Sequence, residues 1–273
     1  MIDVTHIRSN QKLLKYVKNI CVFESKQKIK YKHKLLPSAY TYLSYNHKDI
    51  PVSFFETTKV HPKGRLQIAG PKLNKDINVE YDGKLSQILI EFTASGFYYL
   101  FHQSPSKLTN RLSDLNIFIL PGEYNQLRNK LYDLDKVEDQ VNLLEEFLIE
   151  RSYNALPFSD YIERSLKYIE ENFGNVPIKR IVDIAGIGKR QFDRKFHEIV
   201  GVTPKYYSKI IRLKFVINLM CSKKYASIKD IAYRAKYYDL SHFEHRFKNS
   251  STDTTKSSIQ SCITSLNISY VFT

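Results

Sequence analysis

Tryptophan is absent from this chain, and cysteine occurs only at Cys21, Cys221 and Cys262. An odd, widely spaced set with no Cys-x-x-Cys pair argues against a disulfide framework or a zinc ribbon and fits reduced thiols. Long apolar runs are missing too, since nothing reaches the roughly 18 residues that a membrane-spanning helix needs. The opening stretch MIDVTHIRSNQKLLKYVK lacks the apolar centre of a secretory signal. These absences lead to the expectation of a soluble, cytoplasmic protein with no membrane partner. The chain also lacks Gly-x-Ser-x-Gly, His-Glu-x-x-His, a P-loop and a dinucleotide fingerprint. His61, Glu91 and His102 are scattered through a strand-rich stretch, and nothing in their spacing orders them into a catalytic site. His242 and His245 stand at i, i+3, a spacing that can hold a metal on a helix, but no third ligand lies near. The expectation is therefore no enzyme, no cofactor and no metal.

What is present is a folded chain of 273 residues, 42% hydrophobic and 13% aromatic, long enough for two domains. From about 35 to 120 the segments are short, aromatic and β-branched: SAYTYLSY, VSFFETTKV, RLQIAG, DINVEY and SQILIEF. Turn residues punctuate them, and Tyr81-Asp-Gly-Lys84 predicts a hairpin turn. The pattern then changes period. VEDQVNLLEEFLIERS places Val137, Val141, Leu144 and Leu148 on one side of a helix, either to cover the sheet or to form a dimer seam. Asn154-Ala-Leu-Pro157 is the linker candidate, because proline blocks helix continuation. The expected organisation is α+β with two domains. Residues 1–153 are mostly antiparallel β with helices, 154–158 a linker, 159–249 wholly helical, and 250–273 a Ser/Thr-rich tail.

Charge is uneven. The chain carries a formal +14. Residues 157–248 hold 19 Lys and Arg against 10 Asp and Glu, so one third of the chain carries a surplus of nine. Such concentration points to a polyanion partner. The lysine-dense stretch 8–34 reads instead as a solvated face.

The helical third repeats itself. In its first unit Ile178, Ile181 and Val182 face inward, Ala185-Gly-Ile-Gly188 turns, and a second helix buries Phe192, Phe196 and Ile199. That helix leaves Arg190, Asp193, Arg194 and His197 outward, with the two arginines one turn apart. Both can project into a major groove, where a guanidinium can make paired bonds to guanine O6 and N7. Thr203 predicts an N-cap and Pro204 a first helical position for a long helix to about Met220. The second unit follows, with Ser227 as cap, Ile228, Ile231 and Ala232 inward, then Phe243 and Phe247 buried. Ser241, Glu244 and His245 point outward. The long helix holds the two reading helices apart, matching successive major grooves about 34 Å apart.

The stretch 159–248 resembles the DNA-binding domain of AraC/XylS-type transcription regulators. The residues that carry the resemblance are Ile181-Val182, Arg190-Gln-Phe-Asp-Arg-Lys-Phe196, Gly201-Val-Thr-Pro204, Arg212-Leu213, Ile231-Ala232, Tyr237-Tyr-Asp239, Ser241-His-Phe243 and Phe247-Lys248. The resemblance implies base-facing positions at Arg190, Asp193, Arg194, Ser241, Glu244 and His245. It also implies an N-terminal domain, here cupin-like, that senses a ligand or dimerises. Phosphate contacts are expected from Lys189, Lys195 and Lys209. Departures are Val182 for alanine, Gly188 for a capping residue, and Lys236 for glycine, a position strained for lysine if φ is positive there. Thr252 and Thr255 replace the second unit's glycine and proline, and Ser250 replaces an aromatic plug. The expected partners are double-stranded DNA and, by the resemblance, a second copy or a small effector. The rival readings are a non-specific nucleic-acid binder, a degraded regulator, or an enzyme with a β-barrel pocket.

Overall fold

The structure, a computed structural model, describes residues 2–50, 52–55, 58–60, 64–73, 77–221 and 228–236. The described residues include the strands β1 Ile2–Ile7, β2 Val17–Ser25, β3 Ile29–Lys34, β4 Tyr42–Asn46, β5 Val52–Phe55, β6 Thr58–Val60, β7 Leu66–Ala69, β8 Ile77–Gly83, β9 Ser86–Phe92 and β10 Leu112–Asp114. They form two antiparallel sheets, a six-stranded one ordered β1-β2-β9-β4-β7-β10 and a four-stranded one ordered β3-β8-β5-β6. The sheet-rich region expected from the sequence is present.

One local expectation fails. Residues 81–84 do not close a hairpin, because β8 pairs with β3 and β5 while β9 pairs with β2 and β4. The turn carries the chain from one sheet to the other. Asp49 holds it, its carboxylate accepting from the Lys84 amide at 2.7 Å. The dipeptide marks a reversal of direction but cannot say which neighbours the two strands will take.

Helices α1 Gly96–Phe101, α2 Pro121–Tyr132 and α3 Val137–Ser152 close over the six-stranded sheet. Val141, Leu144, Phe147 and Leu148 of α3 join one core with Ile20, Leu43, Ile68, Ile90 and Phe92. The apolar stripe of α3 therefore covers the sheet. Burying four such side chains contributes on the order of 1.5–3 kcal/mol each, which no exposed dimer seam could forgo.

The helical region follows as α4 Asp160–Glu171, α5 Ile178–Ala185, α6 Lys189–Val200, α7 Pro204–Cys221 and α8 Ile228–Arg234. Its core is shared. Tyr40, Ala94 and Tyr99 from the sheet-rich region pack with Ile162, Ile169, Ile181, Phe192, Phe196 and Tyr207. The expected linker is tied down as well: the Leu156 amide donates to the Tyr99 carbonyl at 3.0 Å, and the Ser159 amide to Tyr99 Oη at 2.9 Å. Among the described residues no helix is long and apolar enough to cross a membrane.

Candidate nucleic-acid interface

Helices α5 and α6 meet across a three-residue turn whose first member, Gly186, sits at φ 68°. Only glycine takes that left-handed conformation without a Cβ penalty, so α5 stops there and the chain reverses. Gly188 caps α6 at φ −60° and ψ 140°, and no side chain bonds the first turn of the helix. The missing cap costs a few tenths of a kcal/mol compared with serine. Phe192 and Phe196 are fully buried, with ring centroids 5.6 Å apart, and Phe196 meets Tyr207 edge-on at 5.9 Å. These plugs fix which side of α6 faces out.

Arg190 and Arg194 are both exposed on that outer side, as is His197. Asp193 is half-buried and accepts from Lys189 Nζ at 2.5 Å, an i, i+4 pair within the same helix. Lys189 is exposed, so an ion pair there contributes about 0–1 kcal/mol and leaves the lysine available to a phosphate. Lys195 is placed differently. Its ammonium donates to Glu198 Oε1 at 3.0 Å, and Tyr98 Oη of α1 donates to the same oxygen at 2.6 Å. The Tyr98 hydroxyl holds the Glu198 carboxyl below its usual range despite partial burial, and Glu198 in turn raises Lys195. Lys195 thus lies on the flank turned toward the sheet-rich region. Lys209 is half-buried on α7.

At the start of α7 the Tyr206 amide donates to Thr203 Oγ1 at 3.2 Å, the cap that the Thr-Pro pair predicts. The helix runs 18 residues, about 27 Å at ~1.5 Å per residue. Val216 near its end packs with Ile231, Ala232 and Ala235, which seats the second unit on it. Lys236 has φ 54°, the left-handed geometry that makes lysine costly in place of glycine. Ser227, Ser241, Glu244, His245, Phe243, Phe247, the His242–His245 pair and the tail 250–273 lie outside the described residues, as does His61.

Among the described residues, Glu91 and His102 are held in separate contacts. Glu91 is engaged with Asn19 and Lys214, at 3.0 Å each, while His102 Nε2 meets the Asn154 carbonyl at 2.9 Å. Among the described residues no group of three His, Cys, Asp or Glu could hold a metal ion. The sequence reading missed the importance of Glu91, a carboxylate set in the apolar strand SQILIEF and fully buried. A lone acid in a strand buried on both faces is the signal that could have found it.

Comparison with known proteins gives three results. The family described as "Helix-turn-helix domain" matches residues 181–254, which runs from α5 through the second unit. No curated protein matches the chain in sequence. Among solved structures, the chain is similar to ToxT from Vibrio cholerae at 13% identity and TM-score 0.44, covering 88% of this chain and 97% of that one. Another ToxT structure from strain SCE256, bound to an unsaturated fatty acid, gives 15% identity and TM-score 0.44 over 86% and 96%. The AraC-like transcriptional activator CuxR gives 14% and 0.27 over 82% and 87%. Two helices turned on Gly186 open the matched stretch, and residues 181–254 are an AraC-type helix-turn-helix domain.

Proposed function

We propose that the chain is a transcription regulator that binds double-stranded DNA sequence-specifically and reads two successive major grooves. Helix α6 reads the first through Arg190 and Arg194, with Asp193 beside them. The segment bearing Ser241, Glu244 and His245 reads the second. Lys189 and Lys209 meet phosphates and set register without specifying sequence, and Lys195 joins them once Glu198 gives it up. Residues 1–153 act as the controlling domain, 154–158 as the connection and 159–249 as the reading domain.

The observation that carries this reading is the two-sidedness of α6. Phe192 and Phe196 are fully buried, while Arg190 and Arg194 stand exposed one turn apart on the opposite side. A basic helix of that build can bring a guanidinium to guanine O6 and N7 in a major groove. Selection of bound fragments from a random duplex pool, followed by salt titration of the winner against random DNA, tests it. The proposal expects an enriched asymmetric site bound at least about 10³-fold more tightly than random duplex. Equal affinities with parallel salt slopes would leave a non-specific binder.

A further inference from the structure

Gln140, near the start of α3, is fully buried and shares one amide between two partners. Its Nε2 lies 2.6 Å from the Leu134 carbonyl oxygen and 2.7 Å from His47 Nδ1. A carbonyl oxygen only accepts, so the atom facing Leu134 is the amide nitrogen and not the amide oxygen. That nitrogen has two hydrogens, one for each partner. His47 Nδ1 therefore accepts, and the neutral imidazole carries its proton on Nε2. Neither His47 Nε2 nor Gln140 Oε1 meets a hydrogen-bond partner among the described residues, and both atoms are buried.

The three residues come from three places in the fold. His47 follows β4, Leu134 lies in the turn between α2 and α3, and Gln140 stands in the helix that covers the six-stranded sheet. Tyr45 Oη of β4 donates to the Leu131 carbonyl at 3.2 Å and so holds the end of α2. Lys136, the cap of α3, makes no side-chain bond to the helix. The turn between these points is tied to the sheet through Leu134, Gln140 and His47.

Charging the imidazole breaks this tie in a defined way. A proton on Nδ1 turns an acceptor into a donor and sets it against an amide N–H. The amide answers by turning over, which brings Oε1, an atom with no donor of its own, to the Nδ1 proton. In that seat Oε1 also faces the Leu134 oxygen across the 2.6 Å that Nε2 spans, acceptor against acceptor. The Leu134 carbonyl must then move off, and the turn with it.

The surroundings set where this happens. Burial, Lys48 beside it and the Arg65 guanidinium hold His47 below its ordinary 6.5, and Asp135 of the turn offsets them only in part. Arg65 is fixed there by the carbonyls of Asn46, His47 and Lys48. The neighbouring phenols are Tyr45, its ring centroid 6.4 Å from that of His47, and Tyr132, whose hydroxyl accepts from Arg65 Nε at 3.1 Å. Because the folded chain holds His47 below its exposed value, the tie is intact above 6.5 and is lost as the pH falls through the lowered value.

We propose that His47 and Gln140 form an acid-sensitive latch on the turn between α2 and α3: neutral His47 holds the Gln140 amide toward Leu134, and protonated His47 turns that amide over and opens the turn. The latch lies within the sheet-rich region and does not rest on the DNA-reading function.

Two measurements on the full chain test it. Long-range proton–nitrogen NMR of the His47 ring at about pH 7.5 is expected to find the proton on Nε2, and a proton on Nδ1 overturns the proposal. Amide exchange over residues 133–141 is followed at about pH 7.5 and about pH 5, each referred to an unstructured peptide of the same sequence. Protection in the parent is expected to fall by about threefold or more at the lower pH. His47→Asn keeps an acceptor near the Nδ1 position and does not titrate, so its protection is expected to hold. Parental protection that stays level overturns the proposal. An equal loss in His47→Asn overturns it too, because the acid response then belongs to another group. Should His47→Asn fail to fold by circular dichroism, Gln140→Met decides. Its protection at about pH 7.5 should match that of the parent in acid, and parental protection in that variant overturns the latch.

Discussion

Arg212 of α7 donates through Nη2 to the Lys236 carbonyl at 2.6 Å and to the Ala235 carbonyl at 2.8 Å, with Nε adding a bond to Ala235 at 3.0 Å. One guanidinium thus closes the end of α8 and pins Lys236 in a conformation lysine resists. Replacing Lys236 by glycine removes the left-handed penalty of ~1–2 kcal/mol and returns part of it as unfolded-state entropy. Lys236→Gly is expected to stabilise the second unit by about 0.5–1 kcal/mol in thermal melts. A lower melting temperature would contradict the assigned geometry.

Arg212→Met removes all three bonds and leaves two helix-end carbonyls without their charged partner. Hydrogen bonds to charged groups contribute about 1.5–3 kcal/mol, so loss of protection in α8 by hydrogen exchange should be on that scale. Unchanged protection of Ile231 and Ala232 would mean that α8 is held by its apolar contacts alone.

Gly201 ends α6 at φ 83°, and a Cβ there would come within 2.7 Å of Pro105 Cβ and 3.0 Å of the Pro105 carbonyl carbon. Both strain and crowding fall on a backbone contact between α6 and the 105–108 turn. Gly201→Ala should destabilise the chain by about 1–3 kcal/mol. An alanine variant with parental stability would show that this turn does not press on α6.

The boundary between the sheet and α7 titrates in a defined sense. Lys214 sits at about 8 when folded and at 10.5 when exposed, so between those values the unfolded chain binds more protons and stability rises with pH. Glu91, Lys18, Glu170 and Tyr40 are charged or titratable groups that act on it. Burial pushes Tyr40 up and Tyr207 well above 10.0, so above about pH 10 the folded chain binds more protons and stability falls. Denaturant midpoints from pH 7 to 11 should pass through a maximum between about 8 and 10. The rising limb should disappear in Lys214→Met, and its persistence there would assign it to another group.

The first helix-turn-helix unit was legible because its signals are local. Phe192 and Phe196 at helical spacing, glycine at 186 and Thr203 before Pro204 each fix a turn or a buried side within a few residues. Lys236 was legible for the same reason, as a residue in a glycine's place. The sheet pairing was not, because the Asp-Gly turn at 82–83 announces a reversal and says nothing of partners. Nor was the boundary network. Lys18 lay in a run that reads as a solvated face, and Glu91 and Lys214 are brought together only by the docking of two cores. Long-range pairing of single charges leaves no period for a sequence to display.

The account rests most heavily on the outward side of α6, and one binding comparison tests it. Arg194→Ala and the parent chain are titrated, at one fixed salt concentration, against the selected operator and against random duplex of equal length. The predicted result is a loss of about 1–3 kcal/mol on the operator, confined to preference at one base pair, with little change on random DNA. An equal loss on both would make Arg194 a backbone contact, and no loss on either would remove α6 from the reading surface.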